Sequence, residues 1–150
     1  SIYFQKIYNS LSYELLYLYK VLKPFSEVGR TLKTLKKSNY KLAILSNGTP
    51  SLLNKLVNSN SLENIFDDIF SVEDVGIYKP DSKVYDIPIN KYKIQKNEVV
   101  FLSANTWDVS GAGNYGYQSI WVNRSNNIFD KLDFTPKHEV SNLSELLDLI

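Results

Sequence analysis

The 150-residue sequence contains no cysteine, so it holds neither a disulfide framework nor a thiolate metal site, and a reducing compartment, the cytoplasm, is expected. Histidine occurs once, at His138, too rarely for a histidine-built metal centre. Long apolar runs are lacking too, since none approaches the roughly eighteen residues of a membrane span. The opening "SIYFQKIYNSLSYELLYLYK" threads lysines and a glutamate through its apolar pattern, which makes it a poor signal peptide. No charge of one sign dominates: 17 basic residues face 16 acidic ones, for a net +1. A nucleic-acid face, which needs clustered positive charge, is therefore not expected. Methionine is absent, and the abundance of Ile, Lys, Asn and Tyr reads as base-composition bias without functional meaning.

What is present is an ordinary globular composition, 43% hydrophobic and 22% charged, in a chain long enough for one domain with a core. Residues 3–22 place Leu11, Leu15, Leu18 and Leu22 at helical spacing. A second helix is predicted over "SEVGRTLKTLKKSNY", with Ser26 as N-cap, a buried stripe of Val28, Leu32 and Leu35, and Arg30, Lys33, Lys36 and Lys37 on a solvated face. Strands are predicted at 40–46, 66–72, 98–103 and 118–123, with "HEV" as an edge strand. Helices follow Thr49-Pro50, open at "PDSKVYDIPINKY" with Pro88 bending or shortening them, and cover "VSGAGNYG" with Gly116 as a left-handed stop. Asn142 and Glu145 form a capping box for a last helix. This alternation predicts an α/β layer fold with a mainly parallel sheet, whose chemistry gathers beyond the carboxyl ends of the strands.

Ser46 and Ser103 each end a strand, so they share that rim. Singly, the rim residues have plain explanations. Ser46 suits a turn, Lys79 a solvated loop, Asn105 a turn, Asp108 a helix cap and Trp107 packing. Together they supply hydroxyl and amide donors, a fixed cation and a carboxylate. A site that binds an anion and directs water needs that set.

"KLAILSNGTP", "VGIYKPDSKVYDI" and "VVFLSANTWDVSGAGNYG" resemble the second, third and fourth motifs of the haloacid dehalogenase superfamily, in the wording of its 2-haloacid dehalogenases. The likeness extends to "LKPFSEVGRTLKTLKK" and "SIWVNRSNNIFDKLDFTPKHEVSNLSELL", nearly the whole chain. It implies a three-layer Rossmann-like core over 23–150, with 1–22 as the tail of a helical cap. It also implies displacement of halide from a 2-haloalkanoic acid by an Asp carboxylate, followed by hydrolysis of the ester. Carried over by motif, Lys79, Ser103, Asn105 and Asp108 are the catalytic group. Ser46, Asn47, Tyr85 and Trp107 are the substrate-binding one. Neither a cofactor nor a metal is implied. Where the phosphatase relatives carry a second magnesium-binding acid, this sequence has Ala104.

The resemblance also requires a first motif, Asp-x-x-x-Thr or Asp-x-x-x-Val after an apolar strand, and residues 1–150 contain none. "DIFSV" at Asp68 fits the letters, but its Asp precedes the apolar residues. The first, central strand is thus expected to be missing between the strands ending at Ser46 and Ser103. From this follow a rearranged sheet, a partner supplying the strand, or a marginal fold, and no dehalogenation by this chain alone. A homodimer is the family's habit. The alternatives are a non-catalytic remnant or binding module of the same fold, or a phosphatase of the superfamily. "GAGNYG" spells a dinucleotide fingerprint but lies inside a helix instead of a first strand–helix turn, and it is set aside. No G-x-S-x-G elbow supports a Ser-His-Asp triad with His138.

Overall fold

The computed structural model describes the backbone of residues 2–150 and the side chains of residues 11–15 and 17–150. Among the described residues there are five α-helices, α1 (Ile2–Val21), α2 (Val28–Lys37), α3 (Pro50–Ser59), α4 (Ser82–Tyr92) and α5 (Thr106–Tyr115). Five strands accompany them, β1 (Ala43–Ser46), β2 (Asp68–Ser71), β3 (Val100–Ser103), β4 (Gln118–Val122) and β5 (His138–Val140). No helix among the described residues is long and apolar enough to cross a membrane.

Every strand pairing is parallel, with α3 crossing from β1 to β2, α5 from β3 to β4, and a long loop from β4 to β5. The apolar residues of the sheet divide between two faces. Leu35 of α2 packs with Val100, Leu102, Ile120, Val122 and Val140 on one side. Tyr85 of α4 and Ala112 of α5 pack with Leu45, Val99, Phe101 and Tyr117 on the other. The result is an α/β fold with helices on both faces of a parallel sheet.

The sheet is split. β1 pairs only with β2, and β3, β4 and β5 form a separate group in that order. Burial follows the split. In a closed sheet of this order β1 and β3 would be central and driest, yet Ala43 is exposed and Ile44 to Ser46 and all of β3 are only half-buried. By contrast, four of the five residues of β4 are buried. Between β1 and β3 lies a cavity of about 690 Å³, walled by residues 43–46 and 99–103 and floored by apolar side chains such as Leu35, Phe70 and Leu146. The inner edges of β1 and β3 therefore face each other without the ladder that parallel strands would share.

Local signals mostly hold. Thr49 caps α3 by accepting the Leu52 N–H at 3.3 Å, with Pro50 at its first position. Gly116 ends α5 at φ 113°, a value that only glycine adopts cheaply. Pro88 lies inside α4 without ending it. Ser26 does not cap α2. That position is taken by Glu27, whose carboxylate is drawn away to Arg124 at 2.6 Å and to the Leu143 N–H at 3.3 Å. The last segment, Leu143–Asp148, is a 3-10 helix, capped by Asn142 as expected. There Glu145 turns back onto Ser141 N–H and hydroxyl. At the other end of the chain, α1 is tied to α3 by Ser59 Oγ, which donates to the Lys20 carbonyl at 3.3 Å, and just beyond both helices Asn60 Nδ2 donates to the Leu22 carbonyl at 2.8 Å.

Candidate active site

The carboxyl ends of β1 and β3 lead into the loops that carry the rim. Lys79, on the loop after β2, turns its ammonium inward. Its Nζ donates to Asp108 Oδ2 at 2.7 Å and to the Leu45 carbonyl at 3.1 Å. The Lys79 and Asp108 side chains are only 8% and 4% exposed. Burying an ion pair so completely costs several kcal/mol per ion before its attraction is counted. The pair is held by further bonds. Tyr85, fully buried on α4, donates its hydroxyl to Asp108 Oδ1 at 3.0 Å. Asp108 also sits in the first turn of α5, where the exposed N–H groups favour negative charge. Burial, then the Asp108 charge, push the Tyr85 phenol well above its ordinary range, so it stays a donor.

An ammonium has three N–H groups, and two are engaged here. Lys79 and Asp108 both line the cavity between β1 and β3, together with Ser46 and Ser103. The ring of Phe101 lies 5.5 Å from Nζ and that of Trp107 6.0 Å, which gives the cation an aromatic wall. Trp107 itself is 40% exposed.

The remaining rim residues shape loops. Ser46 Oγ accepts the Gly48 N–H at 3.0 Å, and Ser71 Oγ donates to the Gly48 carbonyl at 2.8 Å. Asn47 Oδ1 accepts the Lys79 backbone N–H at 3.1 Å, which clasps the β1 loop to the Lys79 loop. Ser103 Oγ accepts the Asn105 N–H at 3.2 Å. Asn105 is the N-cap of α5 by backbone alone; its side chain makes no cap bond and lies exposed. Lys79 and Asp108 thus share the cavity lining with Ser46 and Ser103, with Tyr85 bonded behind Asp108 and the Trp107 ring beside the Lys79 ammonium. Asn47 and Asn105 flank that lining. Among the described residues no three His, Asp or Glu side chains gather as a cation site. Ala104 offers only its carbonyl, taken by Trp121 Nε1 at 3.1 Å.

Sequence reasoning missed three contributors. Phe101 lies two residues before Ser103 and so shares its face of β3, a signal that period-two alternation carries. Tyr117, just before β4, donates its hydroxyl to the Tyr85 carbonyl and braces α4. The Leu45 carbonyl is backbone and leaves no mark on side-chain patterns.

Against known proteins, residues 2–122 match the family model described as haloacid dehalogenase-like hydrolase. An (S)-2-haloacid dehalogenase of Pseudomonas sp. (strain YL) is 39% identical over 131 residues, covering 87% of this chain and 56% of that enzyme. A crystal structure of a dehalogenase superposes with TM-score 0.90 at 35% identity, over 95% of this chain and 63% of that one. The L-2-haloacid dehalogenase of Xanthobacter autotrophicus, solved with chloropropionic acid covalently bound, superposes with TM-score 0.79 at 28% identity, over 87% and 62%. The chain spans little more than half the length of the curated relatives it matches.

Proposed function

This chain belongs to the haloacid dehalogenase-like hydrolase family, and from that premise we propose that it forms the receiving half of a 2-haloacid dehalogenase site. Residues 23–150 are the core in this reading, and residues 1–22 the tail of a cap. The substrate is a small 2-haloalkanoic acid or a related carboxylic acid, and the setting is the cytoplasm. The observation that carries the reading is a buried Lys79–Asp108 pair lining the cavity between the unpaired inner edges of β1 and β3.

In the reaction, a carboxylate at the end of a strand lying between β1 and β3 attacks the carbon bearing the halogen. The carbon–halogen bond breaks, halide leaves, and an ester forms. Water then adds to the ester carbonyl, and 2-hydroxy acid and free carboxylate are released. Each residue's part follows from its surroundings. Lys79, with one N–H left to give, neutralises charge on the attacking carboxylate. Asp108 fixes the ammonium and Tyr85 fixes Asp108. Ser103 and the free Asn105 carboxamide orient water, Ser46 with the Asn47 loop receives the substrate carboxylate, and Trp107 walls the leaving halide. Among the described side chains no carboxylate other than Asp108 and Glu98, the latter ahead of β3, lines the cavity, and in this reading the attacking group comes from outside residues 1–150.

The test is halide release from 2-chloropropionate by purified residues 1–150, with and without a peptide carrying an apolar strand followed by Asp. The expected result is no release alone and release on mixing, abolished when the peptide Asp becomes Asn. Turnover by the chain alone, well above its Lys79→Ala variant, would overturn the assignment of the attacking group. Silence in every mixture would overturn the dehalogenase reading.

A further inference from the structure

Helix α5 contains two glycines, Gly111 and Gly113, each costing the helix roughly 1 kcal/mol relative to alanine. They lie two residues apart, about 200° around the axis, so they mark opposite faces. Both faces are occupied at contact distance. A Cβ built on Gly111 would stand 2.6 Å from Pro80 Cβ and 2.7 Å from the Tyr85 hydroxyl oxygen. One built on Gly113 would run into the ring of Phe134. α5 is therefore wedged, with the Lys79–Pro80 segment and α4 on one side and the segment before β5 on the other.

Gly111 is one helical turn beyond Asp108, on the same face. The atoms it touches belong to the neighbour of Lys79 and to the residue that donates to Asp108. A methyl group there cannot be met by rotation of one flexible side chain, because the Pro80 ring is fixed to the backbone beside Lys79. α5 and the Lys79 segment must part, and both bonds to the Asp108 carboxylate lengthen together. We infer that Gly111 is a positioning residue: its bare face sets the distance at which Asp108 holds the Lys79 ammonium. The inference rests on Lys79–Asp108 being the reacting end of the site, but its test needs neither substrate nor turnover.

The test is acylation of the folded chain with an N-hydroxysuccinimide ester, read lysine by lysine by mass spectrometry, with exposed Lys137 as internal standard. Gly111→Ala is expected to raise labelling at Lys79 about tenfold relative to Lys137, the scale of one lost hydrogen bond to a charged group. Gly113→Ala, the same change on the opposite face, is expected to leave the Lys79 ratio unchanged. An unchanged ratio in folded Gly111→Ala, or an equal rise in Gly113→Ala, overturns the inference. If Gly111→Ala does not fold, the same substitution is read in a Pro80→Gly, Tyr85→Phe background, where both atoms met by the methyl are gone. Recovery of the fold with the background's own Lys79 ratio supports the contact, and failure to recover overturns it. Halide release plays no part, so loss of the dehalogenase reading and loss of this one remain distinguishable.

Discussion

Two lysine–aspartate contacts of nearly equal length lie at opposite ends of the sheet. At the amino end Lys36 meets Asp67 at 2.6 Å, with the side chains 37% and 24% exposed. At the carboxyl end Lys79 meets Asp108 at 2.7 Å, with 8% and 4% exposed. Geometry alone would rank them as equals. Surroundings separate them: the first ties the start of β2 to α2 under solvent screening, and Asp67 also receives the Leu42 N–H at 2.8 Å. The second is desolvated and wrapped by Tyr85, Phe101 and Trp107. An exposed pair is a modest clamp, while a buried one carries a desolvation cost that its own attraction and its further hydrogen bonds must offset.

The widest separation is expected on deleting each lysine. Lys79→Ala strands a buried carboxylate and is expected to cost about 3–5 kcal/mol in urea unfolding, enough to threaten the fold. Adding Asp108→Leu to that variant is expected to return part of the loss, since no charge then remains buried. A cost below that of Lys36→Ala would break the comparison. Tyr85→Phe is next: it removes one donor from Asp108 and is expected to cost about 1–3 kcal/mol, in the same assay. Lys36→Ala is expected to cost no more than about 1 kcal/mol, and high salt should shrink that figure while leaving the Lys79 value in place.

The smallest effect is one of pH. The hydrogen bond from Lys36, then that from the Leu42 N–H, hold the Asp67 carboxyl below its ordinary value. Its stabilisation is therefore complete above the ordinary carboxylate range and is lost as pH falls through the lowered folded value. Lys36→Ala is expected to flatten the acid limb of a stability–pH curve in that window. An acid limb as steep as in the unchanged chain would show that Asp67 owes its shift to other groups.

The two ends also differ in how far the sequence reveals them. Lys79, Tyr85 and Asp108 stand in a motif whose wording is specific, so their meeting could be expected before any coordinates. The gap beside them was legible too, because a parallel sheet with its middle strand unaccounted for must leave two edges open. The bond by which Asn47 Oδ1 receives the Lys79 N–H was not, because it depends on loop geometry that residue type does not encode. Ser26 failed as a cap for a related reason, since Glu27 is recruited by Arg124 from far along the chain. Gly111 carries no direction in the sequence, and only the atoms opposite it supply one.

The proposed function stands or falls on β1 and β3 walling a berth for one more parallel strand whose end meets Lys79. Amide hydrogen exchange on residues 1–150, before and after adding a peptide with an apolar strand followed by Asp, tests it most directly. New protection is expected to be confined to Ala43–Ser46 and Val100–Ser103, and to weaken when the peptide Asp is replaced by Asn. Protection appearing along β5 instead, or none at saturating peptide, would contradict it.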